Sequence, residues 1–202
     1  MARRSKNKPL VTQFFNRDRL AFIALAKIGH VSYEHLKLCG LADRRIQNLM
    51  KDGHLKKVVY ERKGKIEECY KLTKQGRETA RHFWNLDRAY HAQSPCHDIA
   101  LANKYFSLPE HLRENWLSEN QVRDLFHEKL NELRDQGKET EAGMYEDMLA
   151  EGRISMPDAV YRDEGGKEIG FEVLTKNYNE AERESKENLI GLMEYQYETT
   201  RI

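Results

Sequence analysis

Asp43-Arg44-Arg45-Ile46-Gln47-Asn48-Leu49-Met50-Lys51-Asp52-Gly53 is the stretch from which the rest of the chain can be read. Ile46, Leu49 and Met50 recur at helical spacing, and Gly53 stands where a glycine closes a helix. Asp43 is the expected N-cap. With the apolar positions turned inward, Arg44, Arg45, Gln47, Asn48 and Lys51 fall on the outer side. Upstream, Leu20, Ile23, Ala24 and Ile28 mark a helix from Arg17 that stops at Gly29. Ser32 then caps a short helix containing Leu36 and Leu38, ending near Gly40. Downstream, the β-rich segments Leu55–Glu61 and Ile66–Leu72 flank Arg62-Lys63-Gly64-Lys65, a ribbon with a basic tip. Thr73 caps a further helix running through Ala80 to about Trp84.

This order, three helices, two strands and a helix, resembles the winged helix-turn-helix family over residues 17–84. Tyr70-Lys71-Leu72-Thr73-Lys74-Gln75-Gly76 looks like the Y-x-L-T-x-x-G ending that many such domains carry after the wing. The resemblance implies binding to double-stranded DNA. The side chains suit that role, because Arg pairs bidentately with guanine and Asn or Gln with adenine in the major groove. Arg44, Arg45, Gln47 and Asn48 are the expected base readers, and Lys51 a phosphate contact. Arg62, Lys63 and Lys65 are expected on an adjacent backbone or minor groove, and Arg3 and Arg4 in a basic arm over residues 1–16. No aromatics interleave with these cations, which disfavours RNA. The competing expectation is an ordinary polar helix face, or a winged helix that serves as a protein–protein module.

The net charge of +1 conceals a strong asymmetry. Residues 1–96 carry 21 Lys and Arg against 9 Asp and Glu; residues 97–202 carry 13 against 24. The first half matches phosphate and the second does not, so two functional parts are expected, joined by a polar linker over residues 85–96. Cys39, Cys69 and Cys96 are odd in number and widely spaced, which points to free thiols. The eight histidines form no zinc-ligand spacing. No apolar run approaches the roughly 18 residues of a membrane span. The basic N-terminus lacks the apolar core of a secretory signal, so a cytoplasmic protein is expected.

Residues 97–202 are expected to form a small acidic α/β domain, making the whole chain α+β. His97–Phe106 reads as a helix with Ile99, Ala102 and Phe106 inward, and Trp116-Leu117 as a brief strand. Ser118 and Gln121 form a capping box for a helix bearing Val122, Leu125, Phe126, Leu130 and Leu133, closed by Gly137. Residues 138–152 admit either a short helix or an insertion. Ala159–Arg162 and Glu168–Leu174 read as strands joined at Gly165-Gly166. Asn179 and Glu182 open a last amphipathic helix carrying Leu189, Ile190 and Met193.

Pro157-Asp158-Ala159-Val160 and Phe171-Glu172-Val173-Leu174-Thr175-Lys176 put carboxylates on two successive strands, an arrangement that can hold Mg²⁺ against a phosphodiester. The pattern resembles the PD-(D/E)XK nucleases, whose restriction-endonuclease-like core would make Asp158 and Glu172 metal ligands. The lysine expected two residues beyond the glutamate is Leu174 here. Lys176, two residues further and on the same strand face, is the substitute candidate. The chain also resembles the replication-relaxation family of plasmid and mobile-element proteins. The stretches that carry this are His97-Asp98-Ile99-Ala100-Leu101-Ala102-Asn103, Trp116-Leu117-Ser118-Glu119, Pro157–Val160 and Phe171-Glu172-Val173. That implies a regulator or accessory factor at an origin of a plasmid, phage or conjugative element, with a metal-dependent endonuclease or nickase as the alternative. A tyrosine relaxase is disfavoured, because no H-x-H stands on an apolar strand. A third expectation gives the acidic half a dimerisation or partner-docking role, with Leu189, Ile190 and Met193 as the interface.

Overall fold

The computed structural model describes residues 8–90, 94–176 and 179–202. The chain is α+β, with two sheets among the described residues. It divides into two compact units, Met1–Ala102 and Asn103–Ile202. No helix among the described residues is long and apolar enough to cross a membrane.

The first unit contains α1 (Asn16–Ile28), α2 (Tyr33–Leu38), α3 (Asp43–Lys51), β1 (Leu55–Arg62), β2 (Lys65–Leu72) and α4 (Lys74–Trp84). Its last helix, α5 (Pro95–Ser107), begins within the expected linker and continues past the division. Ser32 caps α2 by accepting from the His35 amide, and Thr73 caps α4 by accepting from the Gly76 amide. Asp43 is the first helical residue of α3, and Ala42 holds the N-cap position. The core gathers Phe22, Leu25 and Ile28 of α1, Leu36 of α2, Ile46 and Leu49 of α3, and Leu55, Leu72 and Ala80. Leu38, expected with them, is 64% exposed.

The strands β1 and β2 pair antiparallel from Leu55↔Leu72 out to Arg62↔Lys65. Lys63 and Gly64 both take positive φ, 49° and 75°, the conformation of a tight primed hairpin turn. Gly76 has a different reason to be glycine. A Cβ there would lie 2.1 Å from the His54 carbonyl oxygen, so the close approach of α4 to the α3–β1 connection requires its absence. The Thr73 hydroxyl ties the same junction by donating to the Gly53 carbonyl.

The second unit adds α6 (Glu110–Arg113), β3 (Leu117–Ser118), α7 (Glu119–Asp135), α8 (Glu139–Ala150), β4 (Ala159–Arg162), β5 (Glu168–Leu174), α9 (Glu180–Leu192) and β6 (Gln196–Arg201). The sheet order is β3-β4-β5-β6, antiparallel except for the parallel β5–β6 pair that α9 connects. Residues 138–152 resolve as a helix, and β6 is a strand that periodicity did not flag. One sheet face packs on Val122, Phe126, Leu130 and Leu133 of α7, with Ile154, Met156 and Leu189. On the other, Trp116 stacks on Tyr161 at 6.1 Å between ring centres. Leu189 and Ile190 are 0% and 8% exposed and belong to this core, and Met193 packs against it. Leu189 and Ile190 are therefore spent in this core and not offered as an interface, whereas Met193 is half-buried at its margin.

Candidate functional site

Helix α3 is amphipathic, and its phase decides which side chains it can present. Ile46 and Leu49 are buried, Met50 is half-buried, and Arg44, Gln47 and Lys51 are exposed. Asn48 is half-buried at the margin of that outer face. Of the ribbon cations, Lys63 and Lys65 at the tip are exposed and Arg62 is half-buried. Arg3 and Arg4 lie outside the described residues.

Arg45 does not belong with the others. Its Nε and Nη2 donate to Asp18 Oδ1 and Oδ2 at 2.8 and 2.9 Å, a two-pronged pair with a carboxylate that is wholly buried. The guanidinium also donates to the Gln13 carbonyl at 2.7 Å and lies over the Phe14 and Phe15 rings. A guanidinium held this way is a structural tie beneath α3, so its assignment as a base reader is corrected. Asp18 was not singled out in the sequence. Its partner lies 27 residues away, and one acid in a helix's first turn reads as a favourable dipole contact.

The segment before α1 is also held, although residues 1–16 were expected to be an arm. Val11 is buried, and its amide donates to Asp52 at the C-terminus of α3. Phe14 meets Phe83 and Trp84 of α4 at 4.9 and 5.6 Å between ring centres. Residues 11–15 thus brace α3 from Asp52 to Arg45.

At the other end of α3, Tyr33 and Lys37 of α2 both reach Asp43. The hydrogen bonds from Lys37 and then Tyr33 hold the Asp43 carboxyl below its ordinary range. Asp43 is thus paired with Lys37 across the α2–α3 junction.

In the second unit Asp158 and Glu172 do meet. The Asp158 amide donates to Glu172 Oε2 at 3.0 Å, and the Val173 amide donates to Asp158 Oδ2 at 2.8 Å. Glu172 is buried at 4% exposure. Burial first, and the Asp158 charge second, push its carboxyl up to about 7. Lys176 does not join them: β5 ends at Leu174, and Lys176 is exposed in the turn that follows. The cation present is Lys186 of α9, with Nζ 3.2 Å from Glu172 Oε1 and a hydrogen bond to the Met156 carbonyl. Its signal in the sequence was a lysine three and four residues ahead of the buried Leu189 and Ile190, on the inward stripe of α9.

Among the described residues no group of three or more His, Cys, Asp or Glu side chains is arranged to hold a metal ion. At least three of the four carboxylate oxygens of the Asp158–Glu172 pair already receive a donor or the Lys186 ammonium. With those oxygens engaged, the pair as it stands does not fit a bound Mg²⁺. Cys39, Cys69 and Cys96 are in no disulfide, and burial pushes the Cys69 thiol up to about 12. No protein-family model, curated protein or solved structure matches this chain.

Proposed function

We propose that residues 17–84 are a winged helix that binds double-stranded DNA, with α3 in the major groove and the β1–β2 hairpin as its wing. The observation that carries this is the division of labour on α3. Ile46 and Leu49 bury one side, Arg45 ties the helix to Asp18, and Arg44, Gln47 and Lys51 stay exposed with Asn48 beside them. A reading helix needs rigid backing and unspent donors on its outer side, and this one has both. The exposed hairpin-tip lysines and the basic balance of residues 1–96 supply the sequence-independent attraction to phosphate. The role we assign is that of a regulator or origin accessory factor of a plasmid, phage or conjugative element. That assignment rests on the resemblance to the replication-relaxation family.

Selection of bound sequences from random duplex DNA tests the reading. Enrichment of a defined motif is the expected result, with a palindrome indicating a two-fold dimeric regulator and a repeat array indicating an origin factor. Absence of enrichment, together with affinity that is indifferent to Arg44→Ala and Asn48→Ala, removes it.

The endonuclease alternative rests on Asp158, Glu172 and Lys186, and the satisfied state of those carboxylates weighs against it. Nicking of supercoiled plasmid in Mg²⁺ or Mn²⁺ that disappears in Asp158→Ala would reinstate it.

A further inference from the structure

The exposed side of α4 carries a second cationic surface, apart from α3 and the hairpin tip. A cleft of about 350 Å³ runs between α4 and the segment after it, walled by Lys74, Arg77, Arg81 and Arg88. Glu78 and Asp87 also line it, leaving a net charge of +2. Lys74, Arg77 and Arg81 are spaced by three and four residues and so share one helix face. They span about 10 Å of helix axis at 1.5 Å per residue.

The position of α4 gives this face its meaning. Its first turn abuts the C-terminal end of α3: Gln75 Nε2 donates to the Asp52 carbonyl at 2.9 Å, Thr73 bonds Gly53, and Gly76 admits the His54 carbonyl. Lys51 closes α3 and Lys74 opens α4, so exposed cations run from one helix onto the next.

We infer that this cleft takes the backbone phosphates of the same duplex strand that α3 reads, on the flank beyond the α3 C-terminus. The inference rests on the winged-helix reading and extends its footprint. One strand carries a phosphate for about every 3.4 Å of duplex axis, so a 10 Å run of cations matches two or three consecutive phosphates. These contacts position the protein and carry no base information.

The experiment uses the full chain, a selected duplex with long flanks, and the same duplex trimmed to the bases facing α3 and the hairpin. Fluorescence anisotropy is read over a salt series for wild type, the double variant Arg77→Ala/Arg81→Ala, and Arg77→Lys/Arg81→Lys as the charge-preserving control. On the long duplex the alanine variant should bind on the order of tenfold more weakly at low salt, with a log K against log salt slope smaller by about two. On the trimmed duplex it should match wild type, and the lysine variant should match wild type on both. An equal loss on both duplexes, an unchanged slope, or a loss shared by the lysine variant overturns the inference and leaves the α3 reading standing. Failure of wild type to bind any duplex overturns both.

Discussion

Asp18 in the first unit and Glu172 in the second are both almost wholly removed from solvent, and each faces a cation from a different element of its unit. Asp18 is fully matched, with two prongs from the Arg45 guanidinium and the Phe15 amide donating at 2.8 Å. Glu172 has one ammonium at 3.2 Å, one amide, and the repulsive neighbour Asp158. A planar fork meeting two oxygens offsets much of the desolvation of both charges, whereas a single lysine contact offsets less. The first pair is a joint that fixes the outer face of α3. The second is a carboxyl held near its titration point, able to change charge in ordinary buffers.

The largest expected effect follows from breaking the first pair. Asp18→Ala leaves Arg45 without its counter-ion in a mostly buried position and should cost about 3–5 kcal/mol in denaturant unfolding. Near-neutral behaviour would mean that the joint contributes little. Glu172 should show its contrast through pH. A folded pKa of about 7, against the ordinary 4.5, means that the folded chain holds the proton more tightly. Stability should therefore fall as pH rises from about 4.5 to about 7, by up to about 3 kcal/mol, and level off above that. Trp116 is buried in the second unit and reports its unfolding by fluorescence in a Trp84→Phe background. Glu172→Gln should flatten the slope, and a slope surviving in that variant would assign it to other groups.

Smaller effects test what the joint supports. Arg44→Ala or Asn48→Ala should reduce discrimination between the selected site and a mismatched one by about 1–3 kcal/mol, with little change in thermal stability. Arg45→Ala should instead lower thermal stability, and the split between Arg44 and Arg45 is the sharpest form of the comparison. Lys63→Ala at the hairpin tip should weaken all sequences alike and reduce the salt slope by about one. Quantitative binding at three or more salt concentrations separates these outcomes.

Much of the fold was legible because local chemistry announced it. Ser32, Thr73 and Asn179 stand at the helix starts, and β4 and β5 carry the apolar residues that bounded them in the sequence. The edge strand β6, Gln-Tyr-Glu-Thr-Thr-Arg, was not legible, because it is mostly polar and its strand character comes from pairing with β5. The candidate site was legible as a set of residue types and less so as an arrangement. Arg44 and Arg45 are neighbours in sequence, yet a 100° step around the helix exposes one and turns the other under it onto Asp18. Lys176 sat at a plausible strand phase, but β5 stops before it and α9 brings Lys186 instead. Both differences depend on partners 14 to 27 residues away, beyond the reach of local periodicity.

The bracing of α3 by residues 11–15 bears on how the protein is handled. A boundary drawn where helical periodicity begins, at Arg17, would discard Val11, the Gln13 carbonyl and the Phe14 ring along with the basic residues ahead of them. Lost affinity in such a truncation would invite blame on the missing lysines and arginines, when the damage had been done to a splint. Starting the shortened chain at Leu10 removes Arg3, Arg4, Lys6 and Lys8 while keeping the splint.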